Sequence, residues 1–106
     1  MLDEKLERAA FAIISNVGTA KSLTMEALYN AKKGKFDLAE EKLNEAKQYF
    51  LEGHKGHAAL IQKEGSGEQL DFSIILMHAE DQLATTETTF ELVKEMIEMY
   101  KKFGIN

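Results

Sequence analysis

Between Ile75 and Phe90 the chain reads ILMHAEDQLATTETTF, and residue types collect there that can do chemistry. His78 and Asp81 stand at i, i+3, and His78 and Gln82 at i, i+4, so all three side chains can meet on a helix surface. A neutral imidazole at pH 7 is a nucleophile, a general base or a metal ligand. With an aspartate beside it, a metal site and a catalytic dyad are both readable, and so is a hydrogen-bonded core histidine. Thr85, Thr86, Thr88 and Thr89 follow. Four threonines in five positions are a poor choice for helix propensity alone. Their hydroxyls can bond back to carbonyls one turn earlier, or they can line a polar chamber at a helix interface.

Three helices must position these groups. From Asp3 to about Ala31, apolar residues such as Leu6, Ala10, Ile13 and Val17 recur at helical spacing. Acidic residues at the start and KKGK at the end suit the helix dipole and a glycine stop. A second helix follows GKFD and carries Phe36, Leu43, Phe50 and Leu60 until KEGSGEQLD, the clearest loop in the sequence. The third runs from about Asp71 or Phe72 to Phe103. With His78 at zero on a wheel, Ile74, Ile75, Asp81, Gln82, Thr85, Thr89, Leu92, Val93, Met96, Met99, Tyr100 and Phe103 fall within about 60°. That stripe is expected to point with the core, and Glu80 at water.

The expected fold is therefore all-α, a three-helix up-down-up antiparallel bundle in one domain spanning 1–106. Helix three also carries Leu76, Ala79, Leu83, Phe90 and Ile97, displaced by about 100° to 160° from His78. A helix apolar on two flanks needs more neighbours than two partner helices supply, which points to self-association. Gly18, Gly53 and Gly56 interrupt helical patterns, each at about 1 kcal/mol against alanine, and close helix packing is the expected reason.

The whole chain of 106 residues has a net charge of −5, with basic residues scattered among acidic ones. That argues against nucleic acid, which rewards a basic face. No apolar run approaches the roughly 18 residues of a membrane span, and MLDEKLERAA does not read as a signal peptide. Cysteine is absent, so disulfides, thiolate metal sites and cysteine nucleophiles are excluded. A cytoplasmic protein is expected. His54 and His57, at i, i+3 on helix two, have metal-compatible spacing without an inward carboxylate on that helix, and the methionines read as core filler.

At SIILMHAEDQLATT the sequence resembles the IIA component of the lactose/cellobiose (chitobiose) family of the bacterial phosphoenolpyruvate-dependent sugar phosphotransferase system. The family segment reads approximately M/V-H-[GA]-Q-D-H-L-M-T, and here it stands as Met77-His78-Ala79-Glu80-Asp81-Gln82-Leu83-Ala84-Thr85. GTAKSLTMEALYNAKKGKFDLAEEKLNEA is similar to the family's first hairpin, and EGHKGHAALIQKEGSGE to the stretch before its third helix. The resemblance implies a homotrimer whose nine helices form one bundle. It implies a phosphotransferase-system carrier, not a stand-alone catalyst, with a transient phosphohistidine on His78 Nε2. HPr would charge it, a cysteine of the IIB component would discharge it, and the IIC membrane component would take part only indirectly.

The resemblance also implies that Asp81 from three subunits meets at the trimer axis around a divalent cation, usually Mg2+. Two positions depart from the family. Gln82 replaces a histidine; its amide can support the imidazole or a phosphoryl oxygen by a hydrogen bond but cannot titrate. Glu80 replaces a glutamine. His54 matches a family histidine. Leu76, Ala79 and Leu83 flank His78 and are expected to dock HPr or IIB. Two rival functions stand beside this one. A non-catalytic helical adaptor would need no special histidine, and a di-metal bundle would need a Glu-x-x-His motif that the chain lacks. The sugar, whether lactose, cellobiose or chitobiose, is not written in these residues.

Overall fold

The computed structural model describes residues 4–70 and 73–104. It consists of α1 (Glu4–Lys32), α2 (Phe36–Gly65) and α3 (Ile74–Phe103) in an elongated up-down-up arrangement of 55 × 20 × 19 Å. No strand occurs among the described residues. Several helix ends have a local cause. Lys32 closes α1, whose first turn carries Glu4 and Glu7. Gly34, at φ 78°, then reverses the chain while its N–H donates to the Ala31 carbonyl at 3.0 Å. At the other joint Gly67 has φ 100°, again a conformation that favours glycine. The α2 helix continues to Gly65, so it takes in the first residues of the expected loop.

Ser73 sets the start of α3. Its backbone is extended, and its Oγ accepts a hydrogen bond from the Leu76 N–H at 3.1 Å. The helix expected from Asp71 or Phe72 is therefore observed from Ile74, and positions 71 and 72 lie outside the described residues. Glutamate or glutamine at Leu76 would have completed a capping box and made this start legible. Gly104, at φ 80°, ends α3 with its N–H donating to the Tyr100 carbonyl at 2.9 Å.

The helices close on small residues. Ala10, Ala20, Ala27, Ala31, Ala39, Ala46 and Ala79 are all essentially inaccessible. Two apolar clusters divide the length. Leu6, Ala10, Ile13, Val17, Leu60, Ala79 and Leu83 fill one; Ala27, Ala31, Ala39, Leu43, Val93 and Ile97 fill the other. The α1 helix supplies the packing surface for both neighbours, whereas α2 and α3 touch each other far less. Thr24 and Thr86 fall between the stretches feeding the two clusters. Thr24 Oγ1 donates to the Ala20 carbonyl at 2.7 Å; Thr86 Oγ1 is buried without a partner.

Two of the three helix-interior glycines have the expected reason. A Cβ on Gly53 would stand 2.8 Å from Val17 Cγ2, and one on Gly56 would stand 3.2 Å from Ile13 Cγ1. Gly18 differs: nothing lies within 4 Å of its hypothetical Cβ. The close α1–α2 approach gives a direct expectation. Gly53→Val should lower the unfolding free energy by about 2 kcal/mol through overpacking, read as a lower urea midpoint with an unchanged slope. An unchanged midpoint would contradict the contact.

Candidate functional site

The flank of α3 that faces its own subunit is formed by Ala79, Leu83, Thr86, Val93 and Ile97, with Leu76 and Phe90 packed alongside. This is largely the second apolar set. The stripe around His78 was expected to point with the core, and most of it does not. His78, Asp81, Thr85, Leu92, Met96, Met99 and Phe103 are exposed, while Gln82 is half-buried and Val93 alone is fully buried. A wheel identifies two apolar flanks but cannot tell which one a subunit keeps for itself. Here the flank with Ala79 admits close packing against α1, and the histidine flank is left outward.

The same geometry corrects the docking expectation. Ala79 and Leu83 lie in the core, so neither offers a docking surface; Leu76 is half-buried, packing against the core while lining an open groove with Met77. The exposed apolar residues flanking His78 are Ile74 and Met77. Glu80, expected to face water, is exposed, and its Oε1 stands 3.5 Å from His57 Nε2 of α2. The histidine is half-buried and the glutamate exposed. No sequence signal marked this pair, because contacts between helices depend on a register that local spacing does not encode. His54 places its ring edge-on to Phe50, with centroids 4.7 Å apart, and Phe50 stacks on Phe90. Both α2 histidines thus sit in packing or pairing roles.

Because α3 starts at Ile74, His78 occupies its second turn. Helical side chains lean toward the N-terminus. The Cα–Cβ bond of His78 is therefore tilted back toward the positive end of the dipole, whose effect falls off beyond the first turn. Thr85 Oγ1 donates to the Asp81 carbonyl at 2.9 Å, and Thr89 Oγ1 to the Thr85 carbonyl at 2.9 Å. Thr88 Oγ1 bonds back to the Ala84 carbonyl at 3.4 Å. Three of the four threonines satisfy their hydroxyl protons one turn earlier, and their oxygens can still accept.

Within one subunit the donor set does not make a metal site. Asp81 is one exposed carboxylate, and no group of three or more His, Cys, Asp or Glu side chains able to hold an ion occurs among the described residues. A cation here would need carboxylates from other copies. No helix among the described residues is long and apolar enough to cross a membrane.

The up-down-up helix trio with an exposed histidine near the start of its third helix is a small all-α bundle, and comparison with known proteins gives it a family. Residues 8–101 match the family model for the PTS system lactose/cellobiose-specific IIA subunit. The chain is 41% identical over 99 residues to the PTS system oligo-beta-mannoside-specific EIIA component of Bacillus subtilis, covering 93% of this chain and 90% of that protein. Its fold superposes on the cellobiose-specific enzyme IIA of Bacillus anthracis with a TM-score of 0.91 and 41% identity, over 97% and 94% of the two chains. It also resembles the chitobiose IIA solved in complex with HPr from Escherichia coli, with a TM-score of 0.82 and 32% identity over 95% and 98%. The chain belongs to the lactose/cellobiose-specific IIA family of the phosphotransferase system.

Proposed function

We propose that this protein is a phosphoryl carrier which accepts a phosphoryl group from phospho-HPr on His78 and passes it to a cysteine of the IIB component. Uptake and phosphorylation of a disaccharide by the membrane IIC component would then follow without contact between IIC and this chain. The observation that carries the reading is the outward imidazole in the second turn of α3, in a chain of this family. A carrier must present its nucleophile to two different partners in turn, and a buried core histidine could not do so.

The step is an in-line displacement. The lone pair of neutral His78 Nε2 attacks phosphorus while the donor's own bond to phosphorus breaks. In the second transfer the partner's thiolate attacks, the N–P bond breaks and its electron pair returns to Nε2. Neutral imidazole serves as the nucleophile when Nδ1 carries the proton. Gln82, one turn on and half-buried, can donate an amide hydrogen to the ring or a phosphoryl oxygen. It cannot accept or release a proton, so proton movement has to occur on the imidazole and the partner proteins.

In this reading the apolar part of the exposed α3 flank, Leu92 to Phe103, is covered by other copies while His78 stays open to its partners, three subunits forming a nine-helix bundle in the cytoplasm. Asp81 from each would hold one Mg2+, whose preference for carboxylate oxygen suits that donor set. The cation would neutralise carboxylates that otherwise repel one another. The sugar is not assigned, since relatives named for oligo-beta-mannoside, cellobiose and chitobiose resemble the chain. Incubation with phosphoenolpyruvate, enzyme I and HPr should add one acid-labile group of about 80 Da, mapped to His78 by fragment analysis. Absence of that adduct, or its location elsewhere, would favour a helical adaptor instead.

A further inference from the structure

Three consecutive residues of α3 face three ways. Ala79 is fully buried, in the cluster with Ile13 and Val17 of α1. His78 stands on one side of it and Glu80 on the other, each about 100° around the helix. His78 is exposed. Glu80 lies toward α2, with its Oε1 3.5 Å from Nε2 of the half-buried His57.

The packing at this point is uneven. On the α1 side, buried apolar residues hold α3. On the α2 side the two helices touch little. An open groove of about 320 Å³ lies between them, lined among others by Leu60, Ile61, Leu76, Met77 and Glu80. Ala79, nearest the core, contributes only a methyl group to resist a turn of the helix. Side-chain pairs bridge α2 and α3 at opposite ends of α3: Glu40 with Lys101 at 2.7 Å near its C-terminus, and His57 with Glu80 beside the site.

Resting on the carrier reading above, we propose that the His57–Glu80 pair is a positioning contact for His78. It fixes the rotation of α3 about its own axis and, through it, where the nucleophilic nitrogen stands. Helical side chains reach about 5–6 Å from the axis, so a turn of roughly 10° moves an outer atom by about 1 Å. A displacement of that size at reacting atoms costs about a hundredfold in rate. A partly exposed pair adds little to global stability, so its loss shows in the rate and not in the fold. Both residues act through the backbone at 78–80, without touching the phosphoryl group. The imidazole offers an Nε2–H when protonated and in one neutral tautomer, so the contact does not depend on charge alone.

Rapid-quench measurement of phosphoryl uptake from phospho-HPr by the full chain tests the pair. Glu80→Ala and His57→Ala should each lower the maximal transfer rate about tenfold, with helix content and the half-saturating concentration of phospho-HPr unchanged. The double variant should lose no more than either single one, since one contact is broken only once. Glu80→Gln keeps an acceptor and His57→Gln a donor, and both should retain the natural rate. Glu40→Ala, which breaks the other bridge, should leave the rate unchanged. In the chain without partners, NMR signals of the His78 ring should shift in His57→Ala and Glu80→Ala but not in Glu40→Ala. Glu80 adjoins His78 in sequence, so the shift caused by His57→Ala, across on α2, is the decisive one. Alanine variants at the natural rate, additive losses, a change confined to half-saturation, unrescued glutamine variants or an unmoved His78 signal in His57→Ala each overturn the positioning role. A natural chain that takes up no phosphoryl group overturns the carrier reading, and the His78 ring signal then decides the pair by itself.

Discussion

His78→Ala should fold as the natural chain does and take up no phosphoryl group from phospho-HPr, with labelling falling to background. Both halves follow from the exposure of the imidazole. Since the side chain lies outside both apolar clusters of its subunit, its removal opens no core cavity. Alanine is also the better helix former by a few tenths of a kcal/mol. The chemistry has no comparable substitute. Phosphoryl transfer asks the protein for a positioned nucleophile and charge stabilisation, and Gln82, Thr85 and Asp81 offer no neutral nitrogen with a free lone pair at pH 7. His54 and His57 lie on α2, the first edge-on to Phe50 of that helix and the second 3.5 Å from Glu80 of α3. Intact-mass analysis after donor treatment, beside a melting curve, checks both parts at once. Persistent labelling would remove His78 from its role, and a collapsed melting curve would show that the ring is structural.

Most of the architecture was legible in the sequence because its signals are local. Periodicity marked three helices, and glycine with basic residues marked the first joint. The close approach at Gly53 was likewise readable as a glycine inside a helical pattern. The start of α3 was misread because its cap, Ser73, lacks the glutamate or glutamine three residues later that would have announced it. The orientation of the site was the larger miss. His78 and Ala79 are neighbours in sequence, and the choice of which flank faces α1 is made by small-residue packing. Wheel arithmetic weighs polarity and cannot see that choice. An outward apolar stripe in one subunit is nevertheless the expected consequence of a helix apolar on two sides. The error about direction therefore supports the self-association that the same periodicity suggested. The pairing of Glu80 with His57 had no sequence signal at all, because it depends on how α2 and α3 align across a long loop.

Asp81→Leu should leave the assembly intact and abolish its response to magnesium. The carboxylate is exposed in the single chain, so the fold of one chain does not draw on it, and in the proposed assembly its consequences arise where copies would meet. Three carboxylates brought to about 5 Å would repel by roughly 3 kcal/mol per pair at an effective dielectric of 20. A shared cation would offset that repulsion. Removing the cation with a chelator should therefore loosen the natural assembly, moving its dissociation midpoint to higher concentration. Leucine removes the charge and the need for the ion together, and a packed apolar layer is often as stable as a buried ionic cluster or up to about 4 kcal/mol more so. The variant should sediment at the same mass with magnesium or with chelator, and melt at least as high as the natural chain in chelator. Monomeric Asp81→Leu would show that the aspartate is needed for assembly in itself. A natural chain indifferent to chelator would show that no cation is shared there. Phosphoryl uptake by the variant separates the two demands on this flank: retained labelling assigns Asp81 to holding subunits together, and lost labelling ties the assembled geometry to the imidazole beside it.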